Sequence, residues 1–562
     1  WLSRSPPPLG ISSIPTGRAA RVFGLNTAQQ DQWSKAIPNA FHVTLKDALA
    51  NSQRLKNLGA DSPLNEALYQ TAQTLEGLPR HYSTHAAGLV LSDDPLVNLV
   101  PLQNGNEGLL MTQYSKDYVE SVGLLKMDFL GLRNLSILAD ALQQVQLTTG
   151  KVLDISAVPL DDAKTIQLFA NGDTTGIFQF ESNGIRNVLR RLHPERFEDI
   201  ALVNALYRPG PMQNIDEVVK RKTNHEALTY PDDSLKDILQ PTYGVIVYQE
   251  QVMLVASNMA GFSLGEADIL RRAMSKKKLG VMEQMKAQFI TGAKQRGYSD
   301  SVANKVFDYI ERFANYGFNK SHAVAYSKMA YELAYLKVYY PGEFHVALLN
   351  SVNNNSVKVK EYLQAAKSMG VKVVGPNINH SEARFTFQDQ QIVFGLDSIK
   401  GVRHDMVVDL LAERQQNGPF KSFPDFLSRL PGKYRKVELI NALIYAGALD
   451  VFPFNRSELI AAAPEFISSV ELSGNSMSLF KALEPKMPKM PEMPLMDKLE
   501  KENAYLGAYL SGHPTERFAP LEQRLNAETT ATLSAGMKNI YLILYITKVK
   551  ISGPKPANKW PF

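Results

Sequence analysis

A proline stands at every third position from Pro485 to Pro494, within EPKMPKMPEMPLM. Proline fixes φ and removes a backbone donor, so this stretch is barred from a helix interior and from a central strand. The spacing suits polyproline II and predicts an extended tether between folded parts. With 562 residues, and about 150 residues per domain, the chain has room for three to five such parts. Apolar residues at 44% and charged residues at 21% place it among globular rather than disordered chains.

The sequence contains no cysteine, which excludes disulfides, thiolate-bound zinc and thiol nucleophiles and fits a reducing, cytoplasmic setting. No run of about 18 apolar residues is present, so no membrane span is predicted. The opening WLSRSPPPLG has neither Met nor the apolar core of a signal peptide, and a piece of a longer protein is expected. Lys and Arg number 61 against 56 Asp and Glu. So small an excess does not itself imply nucleic acid; where the basic residues cluster matters more.

Ahead of the tether the pattern changes along the chain. From Gly17 to about Leu78 the apolar spacing is helical. PRHYSTHAAGLVLSDDPL, GLLMTQYS and SVGLLKMDFLGL are strand-like, and a helix is predicted from Asn134. Helices dominate from about Pro159 to Tyr340, where NGIRNVLRRLHPER, KRKTNH and LRRAMSKKKLG gather the basic residues. ARFTFQDQQIVFGL returns to alternation. SIKGVRHDMVVDLLAERQQNGPF and KVELINALIYAGALD read as short helices joined by glycine turns. After the tether come a short helix and a strand-like NIYLILYITKVKI.

Several residues are candidates for chemistry. Asp128 sits in the apolar run GLLKMDFLGL, where an unpaired carboxylate is costly to bury. It reads either as a ligand of a hard divalent cation or as a strand-end Asp that caps the next helix or pairs with Arg133. His81, Ser83 and His85 share one strand face, but at about 3.3 Å per residue the two histidines lie too far apart for one metal ion. Hydrogen-bonding roles are predicted for them. Arg271, Arg272, Lys276, Lys277 and Lys278 in LRRAMSKKK form either a solvated helix face or a phosphate-binding one. In YGFNKSHAVAYS, Asn319, Lys320 and His322 stand at a predicted helix start, which reads either as a ready anion site or as a simple capped helix packed by its aromatics. YRPGPM fixes a rigid turn at Arg208. Lys400, Gly401 and Arg403 in IKGVR carry the glycine turn of a helix-hairpin-helix, whose amides meet DNA phosphate. Leu479 and Phe480 in SMSLF could anchor a peptide in a partner's pocket. The pairs Asp161-Asp162 and Asp232-Asp233 read as helix caps.

Taken in order, HAAGLVLS, LLKMDFLGLRNL, GDTTGIFQFES, ALYRPGPM, TYGVIVYQEQVM, LRRAMSKKK, YGFNKSHAVAYS and YLSGHP resemble the alpha subunits of bacterial DNA polymerase III, of the Gram-positive type, from about Gly17 to Lys550. The resemblance implies a multidomain α+β protein: a partial nucleotidyltransferase-like palm sheet, mostly helical fingers, a helix-hairpin-helix region and the start of an OB-fold. It assigns 1–17 to an aberrant N-terminus, 18–79 to the thumb, 80–133 to the palm and 134–376 to the fingers. Residues 377–464 become the helix-hairpin-helix region, 465–498 the clamp-peptide and Pro-rich linker, and 499–562 the linker helix and truncated OB-fold. It further implies primer–template DNA and dNTPs as substrates, Mg²⁺ as cofactor, and a sliding clamp and other replisome subunits as partners.

By the same resemblance Asp128 is the third of three metal-binding palm aspartates. Arg208, Arg271, Arg272, Lys276, Lys277, Lys320 and His322 face triphosphate or template, Lys400, Gly401 and Arg403 grip duplex, and Leu479 and Phe480 bind the clamp. The sequence departs from the family in places. It has no segment matching the first two aspartates, the PHP domain or the palm's Gly/Ser-rich loop, so the 562-residue chain is expected to be inactive as a polymerase. Arg403 replaces a common second glycine, and Ser476 replaces the clamp peptide's leading Gln. The family's continuation, shifted by one nucleotide, becomes GPKPANKWPF, so a frameshift is expected from Gly553, and a similar one over Trp1 to about Pro15. The alternative function is a non-catalytic DNA- and clamp-binding module. A purely structural scaffold accounts poorly for the basic helices.

Overall fold

Polar residues just ahead of each early helix fix where it starts. Asn26 accepts the Gln29 N–H at 3.0 Å while Gln29 accepts the Asn26 N–H at 2.9 Å, a reciprocal cap that opens α1 (Thr27–Ala36). Thr44 and Asp47 repeat the device at α2 (Leu45–Asn51). Ser52 caps α3 (Gln53–Ala60), and Ser62 with Pro63 starts α4 (Pro63–Leu75). Their apolar faces meet around Trp33, Leu45, Leu55 and Leu68. The structure is a computed structural model, and it describes residues 19–37, 44–78, 84–85, 87–105, 108–114, 116–208, 211–223, 228–275, 279–314, 317–352, 355–474, 484–528, 537 and 539–545.

The chain divides into two compact units, Trp1–Leu132 and Arg133–Phe562. In the first, β1 (Gly88–Leu91), β2 (Leu102–Asn104), β3 (Leu110–Thr112) and β4 (Leu125–Asp128) form two antiparallel pairs, β1 with β4 and β2 with β3. The strand-like runs of the sequence become these strands, shorter than the alternation alone suggests.

The second unit opens with α5 (Arg133–Thr149), α6 (Ala163–Asn171), α7 (Asn183–Leu192) and α8 (Phe197–Leu206). All of α8 except Glu198 is buried, as expected of a helix with apolar residues all round. Asp162 caps α6 by accepting the Thr165 N–H at 2.8 Å, and Asp232 accepts the Ser234 N–H at 3.0 Å. Both adjacent aspartate pairs thus supply caps, as their polar contexts predict. Next come α9 (Gln249–Ala260), α10 (Leu264–Ser275), α11 (Leu279–Gln295) and α12 (Asp300–Ala314), packed around Met259, Leu270, Phe289 and Phe307. Here α11 approaches the end of α9 at Gly292, where a Cβ would lie 2.1 Å from the Ala260 carbonyl oxygen. A Gly292→Ala substitution is therefore expected to destabilise the protein by about 1–3 kcal/mol, read as a lowered urea midpoint.

The larger core gathers Phe169, Phe180, Tyr331 and Phe344, carried in part by α13 (Lys320–Tyr339) and α14 (Pro341–Ser351), with α15 (Ser356–Ser368) alongside. A three-stranded sheet follows in the order β5 (Lys372–Val374), β7 (Gln391–Val393), β6 (Thr386–Gln388), with β5 parallel and β6 antiparallel to β7. Helices α16 (His404–Asn417), α17 (Phe423–Arg429), α18 (Val437–Tyr445) and α19 (Arg456–Ser473) complete the core. Residues 484–494 hold neither helix nor strand, and Pro494, at φ −51° and ψ 138°, has the extended geometry that the prolines predict. Helix α20 (Leu495–Leu506) follows.

One sequence reading is corrected. The described part of NIYLILYITKVKI, 539–545, is not a strand. Alternating apolar residues make a strand only where a neighbouring edge completes the ladder, and among the described residues the backbone bond to this run is from Glu528 N–H to the Tyr541 carbonyl at 2.9 Å. Leu544 and Tyr541 are exposed. The OB-fold start rests on this run, whose remainder lies outside the described residues. Among the described residues no helix is long and apolar enough to cross a membrane.

Candidate functional site

In the first unit the chemistry sits where β4 ends. Register places Asp128 opposite Gly88. A Cβ at Gly88 would lie 2.9 Å from His85 Nδ1 and 3.2 Å from Asp128 Oδ1, so the missing side chain lets both groups crowd the strand. Lys126 Nζ donates to Asp128 Oδ2 at 2.8 Å, and Asp128 Oδ1 lies 3.9 Å from His85 Nδ1. His85 Nδ1 accepts the N–H groups of Ala87 at 3.1 Å and Gly88 at 2.6 Å, so a neutral ring carries its proton on Nε2. This is the hydrogen-bonding role read for the histidines; His81 and Ser83 lie outside the described residues. The hydrogen bond from Lys126, then its charge, hold the Asp128 carboxyl below the usual carboxylate range.

Asp128 is not a buried carboxylate. Its side chain is 53% exposed, because β4 turns Leu125, Met127 and Asp128 to solvent. The desolvation argument for a compensating cation therefore falls away, and a lysine ammonium already sits on the carboxylate. Among the described residues no group of three or more His, Cys, Asp or Glu could hold a metal ion.

In the second unit a short strap organises the basic residues. Phe318 donates its N–H to the Val247 carbonyl, and Gln249 donates its N–H to the Phe318 carbonyl, both at 2.9 Å. The Arg208 guanidinium lies 3.8 Å from the Phe318 ring centre, and its Nε is buried without a hydrogen-bond partner. The His322 ring meets Phe318 edge-on at 5.1 Å and stacks on Tyr326 at 4.2 Å. Burial, then the charge of Arg208, push the His322 imidazole below its ordinary value, and burial lowers Arg208 as well. At neutral pH the cluster thus presents a charged arginine beside a neutral histidine.

The strap also reaches two more candidates. Gln249 Nε2 donates to the Gly317 carbonyl at 3.0 Å while its Oε1 accepts from Arg271 Nη1 at 3.1 Å. Lys320 Nζ lies 5.9 Å from the Tyr248 ring centre. Arg208, Arg271, Lys320 and His322 are thereby gathered about residues 247–249 and 317–319. Among the described residues Arg272 pairs with Asp268, at 2.6 Å, a carboxylate that Arg271 shares at 2.7 Å. Lys276, Lys277 and Lys278 lie outside the described residues.

Of the two readings of the α13 start, the structure has the capped helix packed by its aromatics rather than an open anion site. Asn319 Oδ1 accepts the His322 N–H at 2.7 Å, and the Glu250 carboxylate accepts the Lys320 N–H at 3.0 Å and 3.1 Å. The protein fills the helix N-terminus with its own carboxylate, which satisfies the dipole that an external anion would have used. Reading the sequence also missed Gln249, Phe318 and Tyr326. A signal was available, since Phe318, His322 and Tyr326 recur at four-residue spacing and so share one face.

Farther along, Gly401 adopts φ +93°, a left-handed turn that favours glycine. The Lys400 N–H donates to the Tyr505 carbonyl at 2.9 Å, and its side chain is exposed. Arg403 Nε and Nη2 donate to both oxygens of Asp405 at 2.9 Å and 2.8 Å. Leu479 and Phe480 lie outside the described residues.

Family models match the chain in three places. The bacterial DNA polymerase III alpha subunit finger domain covers 134–297, the bacterial DNA polymerase III alpha NTPase domain 16–131, and a helix-hairpin-helix motif 370–459. The chain is 43% identical over 553 residues to the DNA polymerase III subunit alpha of Bacillus subtilis (strain 168), covering 96% of this chain and 49% of that protein. The chain belongs to the bacterial DNA polymerase III alpha family. It is also 43% identical over 499 residues to the DNA polymerase III subunit alpha of Staphylococcus epidermidis, covering 88% of this chain and 47% of that one. With the Staphylococcus aureus (strain MSSA476) protein the identity is 42% over 535 residues, or 94% and 50%. The chain spans about half the length of these curated relatives.

Proposed function

We propose that this chain serves template-directed DNA synthesis, as a part that binds primer–template DNA and incoming dNTPs. In this reading 18–79 acts as thumb, 80–133 as palm, 134–376 as fingers and 377–464 as the duplex-gripping region. The observation that carries it is the strap cluster: a charged Arg208 whose buried Nε has no partner, beside a His322 lowered toward its neutral form. Such a guanidinium has a donor in reserve for phosphate. Arg271 and Lys320 add charge from two other helices. Lys400 offers an exposed cation next to a glycine turn of the kind whose amides meet backbone phosphate, whereas Arg403, clamped on Asp405, contributes less.

Divalent ions such as Mg²⁺ serve DNA polymerases generally, by activating the primer hydroxyl and stabilising phosphate charge. The described residues do not fit that role. Among the described residues Asp128 belongs to no group of three or more His, Cys, Asp or Glu that could hold a metal ion, and Lys126 sits upon it. The reading for this polypeptide by itself is therefore a DNA-binding module without polymerase activity, and the pairing of Asp128 with Lys126 favours it. Clamp contact through Leu479 and Phe480 belongs to the same reading.

Primer extension with Mg²⁺ and four dNTPs, run beside DNA binding at graded salt, tests both statements. No extension is expected from the chain or from Asp128→Asn, whereas binding should weaken by on the order of 10³-fold between 50 and 200 mM salt if about six phosphates are contacted. Extension that Asp128→Asn abolishes would overturn the inactive reading. Salt-insensitive binding would overturn the DNA-binding one.

A further inference from the structure

A cavity of about 710 Å³ opens between α6, α7, α13 and α15, away from the strap cluster. Two cationic side chains from different helices reach it. Lys337 of α13 is 2% exposed and donates to the carbonyls of Asp173 at 2.6 Å and Thr175 at 3.0 Å. Those bonds use two of the three ammonium protons and supply no formal counter-charge. Arg186 of α7 has both Nε and Nη2 buried without a hydrogen-bond partner. The nearest carboxylate oxygen, on Glu361, stands 3.8 Å from Nη2, beyond hydrogen-bond range, and Glu361 is held by Lys358 at 3.0 Å. Lys164 adds a third cation to the wall, and Asp173 and Glu361 are its carboxylates.

Buried donors left unmade cost about 1–3 kcal/mol each, and more when charged. Native proteins seldom leave two donors of one buried guanidinium unmade, and Arg186 lines this cavity together with Lys337. The strain also registers on Lys337, whose ammonium burial brings down to about 8, with Asp173 opposing the fall and the charge of Arg186 adding to it. A negatively charged group beside them would pair with the Arg186 donors and supply the counter-charge that the carbonyls around Lys337 do not. Its shape is set by the donors: a guanidinium with two parallel N–H groups matches two oxygens of one tetrahedral anion, and Lys337 and Thr175 lie on the same wall.

We propose that this cavity is a binding site for a phosphate-bearing anion, seated on Arg186 and Lys337 with Lys164 at the rim. The proposal does not depend on the assignment of the strap cluster or on polymerase activity. The phosphate could belong to a free pyrophosphate-like anion or to a DNA backbone, and the experiment separates the two.

Isothermal titration of the full chain with inorganic pyrophosphate, carried out in an Arg208→Ala background so that the strap cluster does not contribute, is expected to give one saturable site. Arg186→Gln should weaken it at least 10-fold, and Lys164→Ala, an exposed change that leaves the core intact, should weaken it two- to fivefold. A single-stranded oligonucleotide that displaces pyrophosphate assigns the site to backbone phosphate; one that binds without displacing it assigns the site to a free anion. Absence of saturable pyrophosphate binding overturns the proposal. So does binding that is unchanged in both Lys164→Ala and a folded Arg186→Gln. Should Arg186→Gln fail to fold, unchanged binding by Lys164→Ala together with protection from trypsin that pyrophosphate does not alter overturns it as well.

Discussion

Substituting Arg456 by alanine is expected to destabilise the helix-hairpin-helix region by about 3–5 kcal/mol, enough to shift its urea transition well below that of the parent protein. Arg456 opens α19 with its side chain 5% exposed. Its Nε and Nη2 hold both oxygens of Asp450, at 2.9 Å and 2.7 Å, while Nη1 donates to Glu502 Oε1 at 3.1 Å. Glu502, 1% exposed, lies on α20, beyond the proline tether. It also accepts the N–H groups of Leu510 at 2.8 Å and Ser511 at 2.9 Å, and the Ser511 hydroxyl. Burial raises the Glu502 carboxyl, yet its bonds from Ser511 and Leu510 and the charge of Arg456 outweigh that and hold it below its ordinary value.

Removing the arginine leaves that carboxylate buried and uncompensated, which is why the loss should exceed that of an ordinary surface ion pair. The pair Arg456→Met with Glu502→Met should lie closer to the parent protein than Arg456→Ala does, since no lone buried charge remains and Asp450, 44% exposed, stays solvated. Equal destabilisation by the single and double variants, measured by urea unfolding, would show that packing rather than charge pairing carries the effect. The network joins the residues on either side of the tether, so its loss should also raise protease cleavage within 484–494.

How much of this was open to a reader of the sequence depends on whether the signal is local. The caps at Asn26, Thr44 and Ser62, the helix after KMDFLGL and the hairpin of FTFQDQQIVF follow from neighbouring residues, and the structure has them. Asp128 was singled out as a carboxylate in an apolar run, but its exposure was not legible. An apolar strand residue is buried only if another layer covers it, and nothing local records that. The strap is a long-range bridge between residues near 248 and 318, so its gathering of Arg208, Arg271, Lys320 and His322 could not be read from spacing. Glu250 illustrates the same limit: the helix start at Lys320 was located correctly, while the carboxylate that satisfies it lies seventy residues earlier. The Arg186–Lys337 cavity likewise assembles from distant helices.

Acid should unfold the second unit through His345. This residue lies on α14 with no exposed surface. Its Nδ1 faces the Pro341 carbonyl at 2.6 Å, and its Nε2 is buried without a partner. Burial, then the charge of Lys337, lower the imidazole from 6.5 to about 3, with the Pro341 carbonyl pulling the other way. A histidine whose folded value is depressed contributes its full stability above 6.5, where both states are neutral. That stability drains as pH falls toward 3, because the unfolded chain takes up the proton first. The amount is on the order of 3–5 kcal/mol. Lys337 does not blur this window. Its own lowering, from 10.5 to about 8, makes stability fall between those two values and then level off, since below 8 it is charged in both states. Urea midpoints between pH 7 and pH 4 should therefore drop steeply for the parent protein and more shallowly for His345→Leu, which keeps an apolar side chain in the same space. Parallel slopes in the two proteins would assign the acid lability to carboxylates instead. A shallower slope for His345→Leu, whatever its stability at pH 7, is the outcome that a buried neutral histidine requires.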